Sequence, residues 1–385
     1  MNKQLTTPAQ QGYTLIELLV GLLIGLFLSG AAIQSYLSTK ETYTITQNVN
    51  RVQEDSRFAT FFLSRDLRET TNLGCIKAVR NMLPAAVDNN LTDLLVKVGG
   101  WDHDDTSLGD EVNLDGNYAV QTNRTKWRGL NNGTNQQLPD EIDSISFSDS
   151  IVIKKITPVE GATITATADA TTFNVTGYTP QTNEILIIGD CFRSDQFQVG
   201  AVTGTSSYTV TPNPSTTTFG QNWGPSARLY SVTFTNYYVG LRSGASVPSL
   251  FRLDSAVGAT AEELVEGVES MQVLYGLDLD NDGDANRYVS ARDLSAAEWE
   301  DLVSIRVGLL FVAPGGIDEE TAEASQTYSL AGGIDFTTAV GDRDLRYVAN
   351  VTVKTRNLGL ESDFSVCDAG VTNCDLNGMV VTSTP

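Results

Sequence analysis

The stretch GYTLIELLVGLLIGLFLSG, residues 12–30, carries a single acid, Glu17, at the head of a run that stays uncharged from Leu18 to Thr39. At ~1.5 Å of rise per residue, about 20 helical residues cover a ~30 Å hydrocarbon core, so the run is long enough to span a bilayer. A secretory signal peptide has a basic start, a short apolar centre and a small-residue cleavage site after that centre. Here the order is reversed. Residues 1–11 are polar with Lys3 as their only charge, and the small residue, Gly12, precedes the apolar run. Processing at Gly12 would leave the run on the mature chain. A carboxylate held in lipid is costly until a partner neutralises it, so Glu17 asks for a partner from outside its own helix.

Working outward, the segment from Ala31 to Leu73 contains neither Gly nor Pro. Ile45, Val49, Val52, Ala59 and Phe62 recur at near-helical spacings, while Arg51, Glu54, Asp55 and Arg57 fill other faces. The pattern predicts one helix over residues 13–73, stopping at Asn72-Leu73-Gly74. Residues 13–39 are apolar on all sides and residues 40–73 are amphipathic, which suits packing against other subunits first and against the chain's own domain second.

The remainder, residues 74–385, is long enough for a large β-rich domain. The formal charge is −22, and basic and acidic residues balance in the stem from Lys40 to Glu69, so the acidity belongs to the globular part. No nucleic acid is expected as a partner, because no clustered Lys/Arg surface is present to displace counterions. Short β-type runs alternate with turn residues: Ser144 to Ile156, Thr163 to Thr176, Glu184 to Ile188, Phe197 to Thr203, Leu229 to Val239, Met271 to Leu277, Val303 to Val312 and Tyr347 to Val353. Residues 157–225 are rich in Thr and suit a β subdomain. Ser295 and Glu298 have the spacing of a capping box before a short helix.

The most chemical motif is Asp278-Leu-Asp280-Asn-Asp282-Gly-Asp284-Ala-Asn286. Carboxylates at alternate positions before a turn-making Gly283 can build an oxygen cage for Ca²⁺, with Asp278, Asp280 and Asp282 as side-chain ligands and Asp284 offering its carbonyl. Val289 stands where an EF-hand places its bidentate Glu, so a complete EF-hand is excluded. The competing reading is a solvated hairpin turn, since Asp, Asn and Gly are turn residues. The only histidine, His103, has no second histidine and no nucleophile elbow beside it, and reads as part of a surface loop. Trp101, Trp127, Trp223 and Trp299 read as core rather than as an adhesive patch. The Gly-Gly pairs at Gly99 and Gly315 lack the helix and Lys of a phosphate loop. No enzyme is expected and no cofactor is required, with Ca²⁺ as the one candidate ligand.

Short polar leader, Gly12, aromatic Tyr13, then Thr14-Leu15-Ile16-Glu17-Leu18-Leu19 resembles the class III signal of type IV prepilins and type II secretion pseudopilins. The resemblance implies an α+β, type IV pilin-like fold: leader 1–12, stem helix, then a β-rich domain. It also implies cleavage between Gly12 and Tyr13 by a prepilin peptidase and N-methylation of Tyr13. Glu17 would then pair with the amino terminus of a neighbouring subunit during assembly. Gly189 to Val199, Tyr237 to Gly240, Val247 to Arg252, Glu263 to Gly276 and Asp278 to Tyr288 further resemble the PilW family of type IV pilus minor pilins, whereas residues 84–140 and 205–225 show little match.

The implied function is a structural one: a minor pilin that helps initiate, prime or cap a type IV pilus. Its implied partners are other minor pilins, the major pilin, the inner-membrane assembly platform and the inner membrane itself through helix 13–39. The globular domain would be periplasmic before assembly and at the cell surface afterwards. The alternatives are a tip-located, Ca²⁺-dependent surface-binding subunit and a J-type minor pseudopilin of type II secretion. Four cysteines allow three pairings, and an oxidising compartment favours two disulfides. Cys367 and Cys374 enclose a short loop, and Cys75, where the stem ends, is left with Cys191.

Overall fold

The computed structural model describes residues 14–70, 79–84, 98–116, 118, 120–129, 142–167, 170–190, 193–254, 260–295, 298–299, 301–317 and 322–355. Helix α1 (Leu15–Glu69) is 55 residues long, about 80 Å at the usual rise. Thr14 caps it, its hydroxyl accepting the Glu17 amide at 3.4 Å. The helix stops at Glu69, before the expected Gly stop, because Thr70 turns extended (ψ 138°) and its hydroxyl donates to the Lys154 carbonyl. A tertiary contact decides the end.

The strands follow as β1 (Val79–Asn81), β2 (Val98–His103), β3 (Glu111–Leu114), β4 (Trp127–Gly129), β5 (Ser150–Pro158), β6 (Thr163–Ala166) and β7 (Phe173–Thr176). Next come β8 (Ile185–Gly189), β9 (Ser194–Thr203), β10 (Ser207–Asn213), β11 (Arg228–Gly240), β12 (Ser249–Asp254) and β13 (Glu262–Glu266). The last are β14 (Val268–Leu277), β15 (Arg287–Val289), β16 (Leu302–Ala313), β17 (Thr327–Ser329), β18 (Asp335–Thr338) and β19 (Leu345–Lys354). The expected strand over Thr163 to Thr176 is instead a hairpin, with Thr163 opposite Thr176. The expected start of a strand at Ser144 is also displaced. Phe147 has φ 59°, a left-handed conformation that breaks an extended run, and β5 begins at Ser150.

A 12-stranded sheet runs β4-β2-β5-β11-β8-β9-β10-β7-β6, with β1 on β9 and β12–β13 attached through β11. Strand β11 is its spine. One edge pairs with β5 from Tyr230 to Tyr238, while the other pairs first with β8 and then with β12. A 4-stranded sheet, β15-β14-β16-β19, and a 3-stranded sheet, β17-β18-β3, complete the fold.

Two cores result. The larger joins Val52, Ala59, Leu63 and Leu67 of α1 to both main sheets, including Ile151, Tyr237, Ile305, Val307, Leu309 and Val353. Leu63 and Leu67 have no exposed surface, and burying each contributes about 1.5–3 kcal/mol. The smaller core fills the Thr-rich region with Ile164, Phe173, Val175, Phe197, Phe219 and Trp223. Buried Asp195 ties its outer loop down by accepting from Arg80 (2.8 Å), Gly220 N (2.8 Å) and Trp223 Nε1 (2.8 Å).

Candidate functional site

The stem presents two different surfaces along one helix. Leu15, Ile16, Leu22, Leu23, Leu26 and Phe27 are all well exposed, and no described residue before Ile45 is even half-buried. This half is long and apolar enough to cross a membrane. Glu17 lies in its first turn, exposed, with no side chain of its own chain against it among the described contacts.

The second half is fastened to the domain. Arg51 pairs with Glu266 at 2.7 Å and Glu41 with Arg343 at 3.0 Å, both at the solvent-exposed margin of the contact. Deeper in, Asp66 sits on the buried face and accepts the Tyr237 hydroxyl at 2.5 Å. Burial, and then the Asp66 carboxylate, push the Tyr237 hydroxyl well above its ordinary pKa, so it remains a donor. Sequence reasoning missed this pair. Its signal was an acid on the same helical face as Ala59 and Leu63.

The acidic loop joins β14 to β15. Asp278 is buried, and its carboxylate accepts the amides of Asp282 (3.2 Å) and Gly283 (2.7 Å), while Asp282 accepts the amide of Asp284 (2.8 Å). Asn281 (φ 58°) and Gly283 (φ 86°) supply the left-handed backbone that aims these N–H groups inward. Desolvation pushes the Asp278 pKa up, but the amides of Gly283, Asp282 and Asn281 outweigh it and the net shift is downward. Ligand oxygens of Asp278, Asp280 and Asp282 lie within 4.8 Å of one another. These three are therefore brought together as expected. Asp284 turns its carboxylate to Lys354 at 2.8 Å, and Val289 is buried in β15 opposite Tyr275. The donor set suits a hard cation chemically, yet the same oxygens already organise the turn through backbone N–H groups.

Other candidates resolve into structure. His103 is buried in β2, not in a surface loop, with its ring edge-on to Trp127 at 4.8 Å. Burial lowers its pKa to about 4, so it is a neutral core residue at physiological pH. Trp101, Trp127, Trp223 and Trp299 are all buried. The Gly99-Gly100 pair lets Tyr275 approach, since a Cβ on Gly100 would lie 1.9 Å from its hydroxyl. Ser295 and Glu298 make the capping-box bonds, Ser295 N to Glu298 Oε2 at 2.9 Å and Glu298 N to Ser295 Oγ at 3.4 Å. The described residues beside Glu298 form a turn rather than the expected helix. Gly12, Tyr13 and all four cysteines (Cys75, Cys191, Cys367 and Cys374) lie outside the described residues.

A long apolar helix capped just before Glu17, half free and half packed on a β-rich domain, is a pilin-like α+β arrangement. Part of the chain is similar to a known family of type IV pilus assembly. Residues 236–357 match the family model described as Type IV Pilus-assembly protein W, and residues 7–33 match the prokaryotic N-terminal methylation motif. The PilW match spans β12 to β19, with the acidic loop inside it and Gly189 to Val199 outside it. No curated protein and no solved structure matches the chain.

Proposed function

We propose that this protein is a minor pilin that helps initiate, prime or cap a type IV pilus, acting as a structural subunit rather than as an enzyme. The observation that carries this reading is the exposed half of α1, whose apolar surface and first-turn Glu17 have no partner within the described chain. In a bilayer that surface is solvated by lipid, and only the carboxylate is left in an unfavourable place. Extraction into a stack of subunits relieves it, because an amino terminus on a neighbouring subunit can pair with Glu17. Prepilin peptidase would cut between Gly12 and Tyr13, and the freed, N-methylated Tyr13 would supply that charge to the next subunit. The division into leader 1–12, stem 13–73 and domain 74–385, with the domain periplasmic before assembly, belongs to the same proposal. So do the Cys75–Cys191 and Cys367–Cys374 disulfides.

The test is a Glu17→Ala strain. The variant is expected to be inserted, cleaved and as heat-stable as wild type, yet to be absent from sheared pili and to reduce their number. Wild-type piliation with normal incorporation of the variant would overturn the pairing. Loss of protein secretion instead of pilus formation on deletion would move the chain to the J-type pseudopilin reading. A second reading, a Ca²⁺-dependent surface-binding role at the tip, draws support from the convergence of Asp278, Asp280 and Asp282.

A further inference from the structure

A group of buried charges that plays no part in the stem or the acidic loop lies where the two main sheets meet. Asp102 on β2 and Asp149, just before β5, are both almost fully buried and flank the β2–β5 ladder where Trp101 stands opposite Ser150. The Arg292 guanidinium, from the 3₁₀ turn Ala291–Asp293 that follows β15, lies against the Asp102 carboxyl and donates to Ser107 Oγ at 2.8 Å. Asp149 is an acceptor on both oxygens, one taking the His103 amide at 3.1 Å and the other the Val273 amide of β14 at 2.8 Å. Two carboxyl groups buried side by side beside a single guanidinium need a proton between them to avoid an uncompensated charge, and the doubly accepting Asp149 leaves Asp102 as the group that carries it.

We propose that Asp102 and Asp149 share one proton and, with Arg292, form a pH-responsive pin that joins β2 and β5 of the large sheet to β14 of the small one. Two ionised carboxylates against one guanidinium would leave an uncompensated buried charge, whereas one carboxylate against one guanidinium is neutral. Burial, and then the Asp149 charge, push the Asp102 carboxyl well up from its ordinary range. Burial pushes Asp149 up to about 7, against the opposing pull of the Val273 and His103 amides. Other groups around the pin are fixed in charge. His103 is neutral above its depressed value, the buried Tyr275 hydroxyl is raised well above its ordinary pKa, and Asp104 is paired with Arg128 at 2.8 Å and also faces Arg292. Asp105 and Lys126 pair with each other at the exposed margin.

The direction with pH follows. In the unfolded chain both acids lose their protons near pH 4, whereas the folded pair keeps its shared proton to neutral pH and above. The folded state binds more protons, so the stabilisation is complete at low pH and is lost as pH rises through the folded values. His103 works in the opposite sense, but only below about pH 6.5, its unfolded value. The window from pH 7 to pH 9 therefore reports the pin alone among these groups.

The experiment uses the full chain in detergent micelles, with thermal unfolding followed by tryptophan fluorescence. Three of the four tryptophans flank the pin: Trp101 precedes Asp102, Trp127 touches His103, and Trp299 lies against Tyr275 at 4.8 Å. Asn at position 102 reproduces a protonated Asp, with an oxygen for Arg292 and an N–H for Asp149. For wild type, the melting temperature is expected to fall by several degrees from pH 7 to pH 9. Asp102→Asn should flatten that fall and melt above wild type at pH 9. An Asp102→Asn variant that melts well below wild type by the same amount at every pH would overturn the proposal, because it would show that Asp102 is the ionised partner of Arg292. An independent readout needs no comparison of stabilities: infrared difference spectra of the wild type should contain a protonated carboxyl C=O stretch at pH 7 that Asp102→Asn lacks. Identical carboxyl bands in the two proteins would also overturn it.

Discussion

From Leu15 to Thr44 every residue of helix α1 is exposed, with Glu41 meeting the domain at its margin through Arg343, whereas from Val52 to Leu67 the same helix supplies one wall of the main core. Nothing in the backbone separates the halves. Both are regular helix, and both contain polar residues: Ser29, Thr39 and Thr42 in the first, and Thr60 and Ser64 in the second, fold their hydroxyls back onto carbonyls four residues earlier. What differs is the distribution of apolar surface. An all-round apolar cylinder has no preferred side to give to one domain, while a stripe such as Val52, Ala59, Leu63 and Leu67 has one. The free half thereby keeps its apolar surface uncovered by the described domain.

The sharpest way to break this contrast is to truncate a leucine in each half. Leu63→Ala should destabilise the domain by about 2–5 kcal/mol, since it opens a cavity in a fully buried site. Leu22→Ala should leave the unfolding curve of the full chain in detergent unchanged, because Leu22 is 63% exposed. Equal losses at the two positions in urea unfolding would refute the division.

A smaller effect is expected where the packed half meets β11. Tyr237→Phe removes the donor to one oxygen of Asp66 and leaves the other to Arg65 at 3.0 Å. The cost should be about 1–3 kcal/mol, the usual range for stranding a buried acceptor. Denaturant midpoints of Tyr237→Phe and of the double variant Tyr237→Phe/Asp66→Asn would check this. The second change should recover part of the loss.

The smallest effect belongs to the acidic loop. If Asp278, Asp280 and Asp282 hold Ca²⁺, millimolar Ca²⁺ should raise the melting temperature over an EDTA control. A tenfold excess over Kd corresponds to about 1.4 kcal/mol. Asp280→Ala should erase the gain, and Glu17→Ala should keep it. Superimposed curves with and without the ion would leave the loop as a turn organised by the amides of Asp282 and Gly283.

Much of this was legible in local pattern. The uncharged run after Glu17 and the absence of Gly and Pro from Ala31 onward predict a long helix, because helix formation depends on residues within one turn of each other. Alternating β-type runs likewise locate β8, β11, β14, β16 and β19 to within a few residues. The convergence of Asp278, Asp280 and Asp282 was readable too, since a tight turn brings alternate residues together without help from elsewhere.

The rest needed contacts between residues far apart in the chain. Thr70 ends α1 on a carbonyl of β5, and Asp66 finds Tyr237, 171 residues away. His103 reads as a loop residue in its acidic neighbourhood, yet β2 carries it into the core beside Trp127. Asp102, Asp149 and Arg292 show no motif in the sequence and become a unit only where two sheets meet. By itself the sequence determined the stem, its free acid and the class of fold, because each is set by short-range periodicity and by the hydrocarbon thickness of a membrane. Only the tertiary structure decided which side of the stem is covered and which charges share a burial site, because dehydration and charge pairing depend on neighbours in space rather than along the chain.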